Sequence, residues 1–318
     1  MFEHVLVPLD GSSLAECVLP HVVSFARAFG SKVTLLRVLA RSEGAQAAPI
    51  VDPVDWHIAE AQTNSYLEEV AGRLDALGVE TSRVIVDGNA AERVTEYADQ
   101  QDVDLIILSS HGRSGLSGWN VSSVVQKIIL RAYRSVLIVR AYLPVEHTLG
   151  EPMYRRILVP LDGSPRAECV TSIAVRLARS HDATLLLAHV VRRPEMPRRT
   201  APTEEDIKLA DRLVERNREE VTAYLQDLKE NLQLDADHHL LVSDDVATSL
   251  HELAESQEAD LVILSAHGYS GTPRWSYGSV ATSFIGYGST PLLIVQDLSR
   301  DEVEPSRAEL AIREHKGH

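Results

Sequence analysis

Two short stretches of the chain carry residue types from which a ligand site can be built, and each occurs twice. The first is Leu6-Val7-Pro8-Leu9-Asp10-Gly11-Ser12, which returns as Leu158-Val159-Pro160-Leu161-Asp162-Gly163-Ser164. The second is Ser109-Ser110-His111-Gly112, which returns as Ser265-Ala266-His267-Gly268. Carboxylate, hydroxyl and imidazole groups beside glycine can donate and accept hydrogen bonds where backbone amides approach a ligand closely. Covalent catalysis fits these residues poorly. No Ser or Cys nucleophile with an orienting acid can be assigned around His111 or His267, and a histidine that fixes its loop by hydrogen bonding is the simpler reading. His238, His239, His315 and His318 lack the spacing of zinc ligands. The chain has no Gly-x4-Gly-Lys-Ser/Thr loop, and no lysine lies within the repeated motifs to neutralise a terminal phosphate. The chemistry left is non-covalent binding.

The motifs belong to a longer repeat. Residues 2–20 and 154–172 are identical at 11 of 19 aligned positions, and residues 103–115 and 259–271 at 9 of 13. The offset is 152 residues in the first block and 156 in the second. So long a period means a duplicated domain rather than a solenoid of small units. Each copy spans about 140 residues, enough to bury a core.

Both copies show the same order of elements. A β-branched run at 4–7 and 156–159 suits a strand buried on both faces. Pro8 and Pro160 end it. Ser12 and Ser164 stand at N-cap positions, with Pro165 at the first helical position, and one helix is expected to run on to about Phe29 and Ser180. Further strands are expected at 32–38 and 183–191, 83–86 and 239–242, 104–108 and 260–264, and 135–139 and 291–295. Long amphipathic helices are expected at 56–77 and 205–231, and shorter ones at 90–101 and 246–257 and at 119–132 and 275–287. This alternation defines an α/β chain of two Rossmann-like domains, each a five-stranded, parallel, doubly wound sheet. Domain 1 is read as residues 1–142 and domain 2 as 153–298, joined by a linker at about 143–153. Residues 299–318 form a charged tail with little to bury. Ligands of such sheets bind beyond the carboxyl ends of the strands, where strand order reverses. Both motifs lie there and face each other if strands one and four are neighbours.

Composition narrows the partners. The net charge of −15 argues against nucleic acid and anionic membranes, which would repel the chain. No stretch has the length of a membrane span, and the N-terminus has no basic segment before its first strand. Cys17 and Cys169 occupy equivalent positions on the first helix and are expected to be reduced, buried residues of a cytoplasmic protein.

The order of LVPLDGS, DLIILSSHGRSG or DLVILSAHGYSG, and a closing VLIV or LLIV strand resembles the universal stress protein family in its tandem form. The resemblance implies strand order 3-2-1-4-5. For the ATP-binding branch it implies a loop G-x2-G-x9-G-[ST] that holds phosphates, with the Pro-x-Asp loop and a Val ending strand two holding adenine and ribose. The second repeat carries Ser265-x2-Gly268-x9-Gly278-Ser279 followed by Val280, with His267 in the loop and Pro160, Asp162 and Val190 in the other positions. The first carries Ser109-x2-Gly112-x9-Ser122-Ser123, with Pro8, Asp10 and Val38. One glycine of three is replaced in the second repeat and two in the first. Gly278-Ser279 at a helix start can bind phosphate through backbone N–H groups, whereas Ser122 adds a Cβ where close approach is wanted. The second site is therefore expected to be the more competent.

The ligand so implied is ATP with a divalent ion, Mg2+ or Mn2+, bound in a stress or signalling role. The resemblance also implies pairing of the fifth strands, here within one chain as a pseudo-dimer; a homodimer of tandem chains stays open. So do two other classes: a nucleotide-independent interaction module with vestigial sites, and a slow ATP hydrolase. Asp10 and Asp162 can be ligand contacts or simply turn formers. Trp119 and Trp275 are read as packing their loops onto the sheet. Gly88 of the first repeat corresponds to Asp244 of the second.

Overall fold

The computed structural model describes residues 1–39, 53–116, 120–142, 149, 153–194, 201–269 and 277–298. Trp119, Trp275, most of the linker and the tail at 299–318 lie outside them.

The first repeat is built from strands β1 (His4–Pro8), β2 (Lys32–Leu39), β3 (Thr81–Asp87), β4 (Leu105–Ser109) and β5 (Ser135–Val139). Its helices are α1 (Ser13–Glu16), α2 (Leu19–Phe29), α3 (Pro53–Asp75), α4 (Ala90–Gln100) and α5 (Ser123–Ala132). The second repeat follows the same order. Its strands are β6 (Arg156–Pro160), β7 (Thr184–Val191), β8 (Ala236–Val242), β9 (Leu261–Ser265) and β10 (Leu292–Val295). Its helices are α6 (Pro165–Glu168), α7 (Thr171–His181), α8 (Glu204–Leu232), α9 (Val246–Ser256) and α10 (Ser279–Tyr287).

Local chemistry accounts for the boundaries. Ser12 and Ser164 accept from the amides of Ala15 and Ala167 and so cap α1 and α6. The single helix expected after each cap is in fact two, broken at Cys17-Val18 and at Cys169-Val170. Pro20, which brings no N–H to the first turn of α2, suits the first break. Ser172 stands at the matching place in the second repeat, where the break recurs without a proline. Cys17 is buried, but Cys169, at the equivalent break, is exposed, contrary to the expectation that both are buried residues. α8 opens on a reciprocal capping box between Thr203 and Asp206.

The strands form one ten-stranded sheet in the order β3-β2-β1-β4-β5-β10-β9-β6-β7-β8. Each half has the order 3-2-1-4-5, with parallel neighbours. The halves join where β5 and β10 pair antiparallel, with Ile138 opposite Leu292, Leu137 opposite Leu293 and Val136 opposite Ile294. The expected fifth-strand pairing is therefore present within the chain. It merges two sheets into one, and each of the two apolar cores, one per face, runs through both repeats.

Helices reinforce the seam. On one face α2 packs on α7. Fully buried Tyr154 hydrogen-bonds His21 Nδ1 at 2.7 Å, and Arg176 lies over the Phe29 ring and donates to the Ala28 carbonyl at 2.6 Å. On the other face Arg140, 1% exposed, donates to the Phe284 carbonyl at 2.7 Å.

Ile138 is fully buried in this seam. Ile138→Lys is expected to cost about 4 kcal/mol or more, because an unpaired charge would sit in dry apolar packing. Denaturant titration measures it, and a loss below about 1 kcal/mol would show that the seam does not hold the halves together.

Candidate functional site

The two repeated motifs are tied to each other by one carboxylate. In the second repeat, Asp162 Oδ1 accepts from the Ser164 amide at 3.0 Å and from its hydroxyl at 2.6 Å, while Oδ2 accepts from the Tyr269 amide at 2.6 Å. The Tyr269 amide lies in the loop after β9, so the bond bridges the loops that end the first and fourth strands of the repeat. A Cβ on Gly268 would run into the Asp162 carboxylate, which is why this loop needs glycine there. The first repeat repeats the arrangement: Asp10 accepts from the Ser12 amide and hydroxyl and from the Arg113 amide, with Gly112 against its carboxylate. Burial pushes the Asp10 carboxyl up, but the bonds from Ser12 and Arg113 and the charge of Arg37 outweigh it and hold the group below its ordinary value.

The serines that stand in place of the first loop glycine are also engaged. Ser265 Oγ donates to the His267 carbonyl, and Ser109 Oγ bonds the His111 carbonyl at 2.6 Å and that of Leu14 at 2.8 Å. The histidines are loop fixtures. His267 is buried, and its Nδ1 bonds Asp297 Oδ1 at 2.8 Å. His111 Nδ1 lies 3.1 Å from Ser110 Oγ, which also accepts from the Ala141 amide.

Beside the Asp162 bridge opens a cavity of about 690 Å³, within the usual range of small-molecule sites. Pro160, Asp162, Val190, Ser265, Gly268, Gly278, Ser279 and Val280 all line it. Of the second-repeat residues singled out from sequence, His267 is not in the lining and is turned to Asp297. Three charged lining residues escaped the sequence reading as site residues: Arg192, Asp244 and Asp245. Arg192 directly follows β7, one residue beyond a strand end that already carried a candidate. Asp245 caps α9 through the Thr248 amide. Asp244 was visible only as the counterpart of Gly88.

The repeats differ most at the helix after this loop. In the first, Ser122 caps α5, its hydroxyl accepting from the Val125 amide at 3.3 Å. In the second, Gly278 occupies the cap position of α10 and supplies no side-chain cap. The N-terminus of α10 therefore opens on the cavity, through Gly278, Ser279 and Val280, with its first amides free of a side-chain acceptor from the cap residue. Arg37 and Arg113 add a second difference. A Cβ on Gly11 would lie 3.7 Å from Arg37 Nη1 and 3.6 Å from Arg113 Nη2, whereas nothing among the described residues lies within 4 Å of one on Gly163. Two guanidinium groups thus converge beside Gly11 and Asp10 in the first repeat, and among the described residues nothing fills the same place beside Gly163. His189 takes the position of Arg37. It bonds the Leu161 carbonyl, and its Nδ1 is buried without a hydrogen-bond partner.

Each half is thus a doubly wound α/β domain with paired loops at the carboxyl edge of its sheet. The profile of the universal stress protein family matches residues 1–140 and 153–296, and the chain belongs to that family in tandem form. It is similar to a universal stress protein of Mycobacterium tuberculosis, 22% identical over 304 residues, covering 92% of this chain and 96% of that one. A single-domain universal stress protein of Methanocaldococcus jannaschii is 26% identical over 156 residues, covering 44% of this chain and 96% of that one. The solved structure of a universal stress protein from Archaeoglobus fulgidus superposes with a TM-score of 0.65 at 16% identity, over 93% of this chain and 99% of that one. Among the described residues no helix is long and apolar enough to cross a membrane.

Burial lowers His181, His189, His239 and His251 below the ordinary histidine value, and all four lie in the second repeat. They resist protonation in the folded chain, while the unfolded chain takes up protons below about pH 6.5. The stability they contribute is complete above that pH and is lost as pH falls from it towards their lowered folded values. The unfolding midpoint is therefore expected to drop between pH 7 and pH 5, less steeply in His189→Gln. A midpoint that is flat over this range would contradict the assignment.

Proposed function

We propose that the chain binds an adenine nucleotide, ATP accompanied by a divalent ion, chiefly in the second repeat, and serves a stress or signalling role. The observation that carries this reading is the uncapped N-terminus of α10 opening on a large cavity, where the first repeat has a self-capped helix. Backbone amides at such an end favour a phosphate, with help from the helix dipole. Gly268, Gly278 and Ser279 would hold the phosphates, and Arg192 is the cation at the rim. Val190 and Leu250 offer apolar wall to a base. Asp162 already accepts three bonds, which leaves lone-pair capacity on Oδ2 for a ribose hydroxyl.

Among the described residues no group of three or more metal-ligating side chains is assembled; a divalent ion bound with the nucleotide would supply charge neutralisation to the phosphates. Positioning without an assigned base is the equipment of a binder. In the first repeat, the Ser122 hydroxyl already accepts from the Val125 amide, which favours a vestigial site.

Gly278→Val fills the approach to the helix end: even a Cβ there would stand 3.4 Å from the Ala266 carbonyl. It is expected to weaken ATP binding at least about tenfold in calorimetric titration of the full chain with Mg2+, with the circular dichroism spectrum unchanged. A folded variant that binds as the parent does would remove the phosphate assignment. Mass spectrometry of nucleotide released from the denatured, purified chain tests the reading itself, and no released nucleotide together with no titratable binding would favour the interaction module.

A further inference from the structure

Helix α10 forms the phosphate end of the proposed site, yet its position is set from the other repeat. Tyr277, one residue ahead of Gly278, is 8% exposed, and its hydroxyl donates to the Ile129 carbonyl at 2.9 Å. That carbonyl lies in the last turn of α5, where helical partners run out. At the far end of α10, Arg140 spans three carbonyls, donating to Phe284 at 2.7 Å and more weakly to Ile285 and Thr290 at 3.4 Å. A cation there also complements the helix dipole. Asn120 Nδ2 donates to the Gly288 carbonyl at 2.8 Å, and the Tyr142 hydroxyl reaches both Asn120 Oδ1 and Gly288. The first repeat therefore grips α10 at both ends.

The contacts are not mirrored when the repeats are exchanged. By the 156-residue offset the counterpart of Tyr277 is Val121, which has no hydroxyl, and the counterpart of Arg140 is Gln296, which has no charge. Asn120 stands two residues before Ser122, on the first repeat's own version of the phosphate loop.

We infer that the first repeat is a control element for the second site: through Tyr277, Arg140 and Asn120 it sets where the N-terminus of α10 stands. The consequence for affinity rests on the nucleotide reading above; the mechanical claim does not. Displacement of Asn120 or Arg140 in the first repeat moves the phosphate end of a site to which that repeat contributes no lining residue. The first repeat's departures from the family's glycine pattern then mark a change of role, from binding to holding.

The test uses the full chain in four forms: parent, Tyr277→Phe, Arg140→Met with Asn120→Ala, and Leu67→Ala. Leu67 is fully buried in the first repeat, in the core on the opposite face from α10, and its truncation weakens that repeat without touching the grip. Hydrogen exchange of the α10 amides is measured first, without ligand. Exchange about tenfold or more faster in the two seam variants, and near parental in Leu67→Ala, is expected. ATP affinity is expected to fall about five- to tenfold in the seam variants alone. Unchanged α10 exchange in the seam variants, an equal increase in Leu67→Ala, or full ATP affinity despite faster exchange would overturn the inference. Tyr277→Phe removes a single hydroxyl and keeps the test decisive if the double variant does not fold. Should the parent bind no ATP while exchange behaves as expected, the nucleotide reading falls and the hold of the first repeat on α10 stands.

Discussion

Strands β5 and β10 are buried along their whole lengths, and neither can serve as the edge of a sheet without inviting association. Their antiparallel pairing is the contact on which the molecule depends. It turns two five-stranded sheets into one and leaves β3 and β8 as the outer strands. Those outer strands have the composition an edge can bear: Thr81, Ser82 and Arg83 in β3, and Asp237, His238 and His239 in β8. Because the pairing is antiparallel, the two copies are related by a pseudo-twofold axis. That relation brings α2 against α7 on one face and the ends of α5 and α10 together on the other.

Duplication gave the chain two equal scaffolds, and the differences between them gather at the carboxyl edge and the seam. The shared part is the carboxylate bridge from Asp10 or Asp162 to the loop of the fourth strand, with glycine where the bridge passes. The differing part is what surrounds it. Arg37 corresponds to His189, Ser122 to Gly278, Val121 to Tyr277, and Ala141 to Asp297, the partner of His267. Together the substitutions place two cations and a capped helix in one copy, and a roomy cavity with an open helix end in the other. They also make the seam asymmetric, since the residues that cross it to hold α10 have no equivalents that hold α5 in the same way. A duplicated domain can divide labour by this route, one copy keeping a cavity and the other becoming its support.

Much of this was legible in residues alone, and the reason is local. Strand positions follow from short β-branched runs, helix starts from Ser and Pro, and the domain count from the repeat itself. The Asp-Gly-Ser and His-Gly motifs could be placed at the carboxyl edge because βα alternation has one handedness. Fifth-strand pairing could be expected from the apolarity of the strands. Not legible were the breaks at Cys17-Val18 and Cys169-Val170, since a helix kink is decided by how the segment packs on the sheet, nor the exposure of Cys169, which differs from that of Cys17 at the equivalent break. The place of Arg192 at the cavity rim was hidden for a related reason: an exposed arginine after a strand looks like any solvated residue.

What the sequence determined by itself is therefore the inventory: ten strands, their succession along each copy, the caps, and which loops carry hydroxyl, carboxylate and glycine. Only the tertiary structure decided what those groups do. Asp162 spends most of its hydrogen-bonding capacity on a serine and a backbone amide 107 residues away, and His267 on a carboxylate 30 residues away. Arg140 is buried to hold carbonyls 144 to 150 residues away. The partners of Asp162 and Arg140 include main-chain N–H and C=O groups, which every residue has and no residue type announces. Propensity and periodicity act over a few residues, so they fix the elements; which amide meets which carboxylate waits for the chain to close on itself.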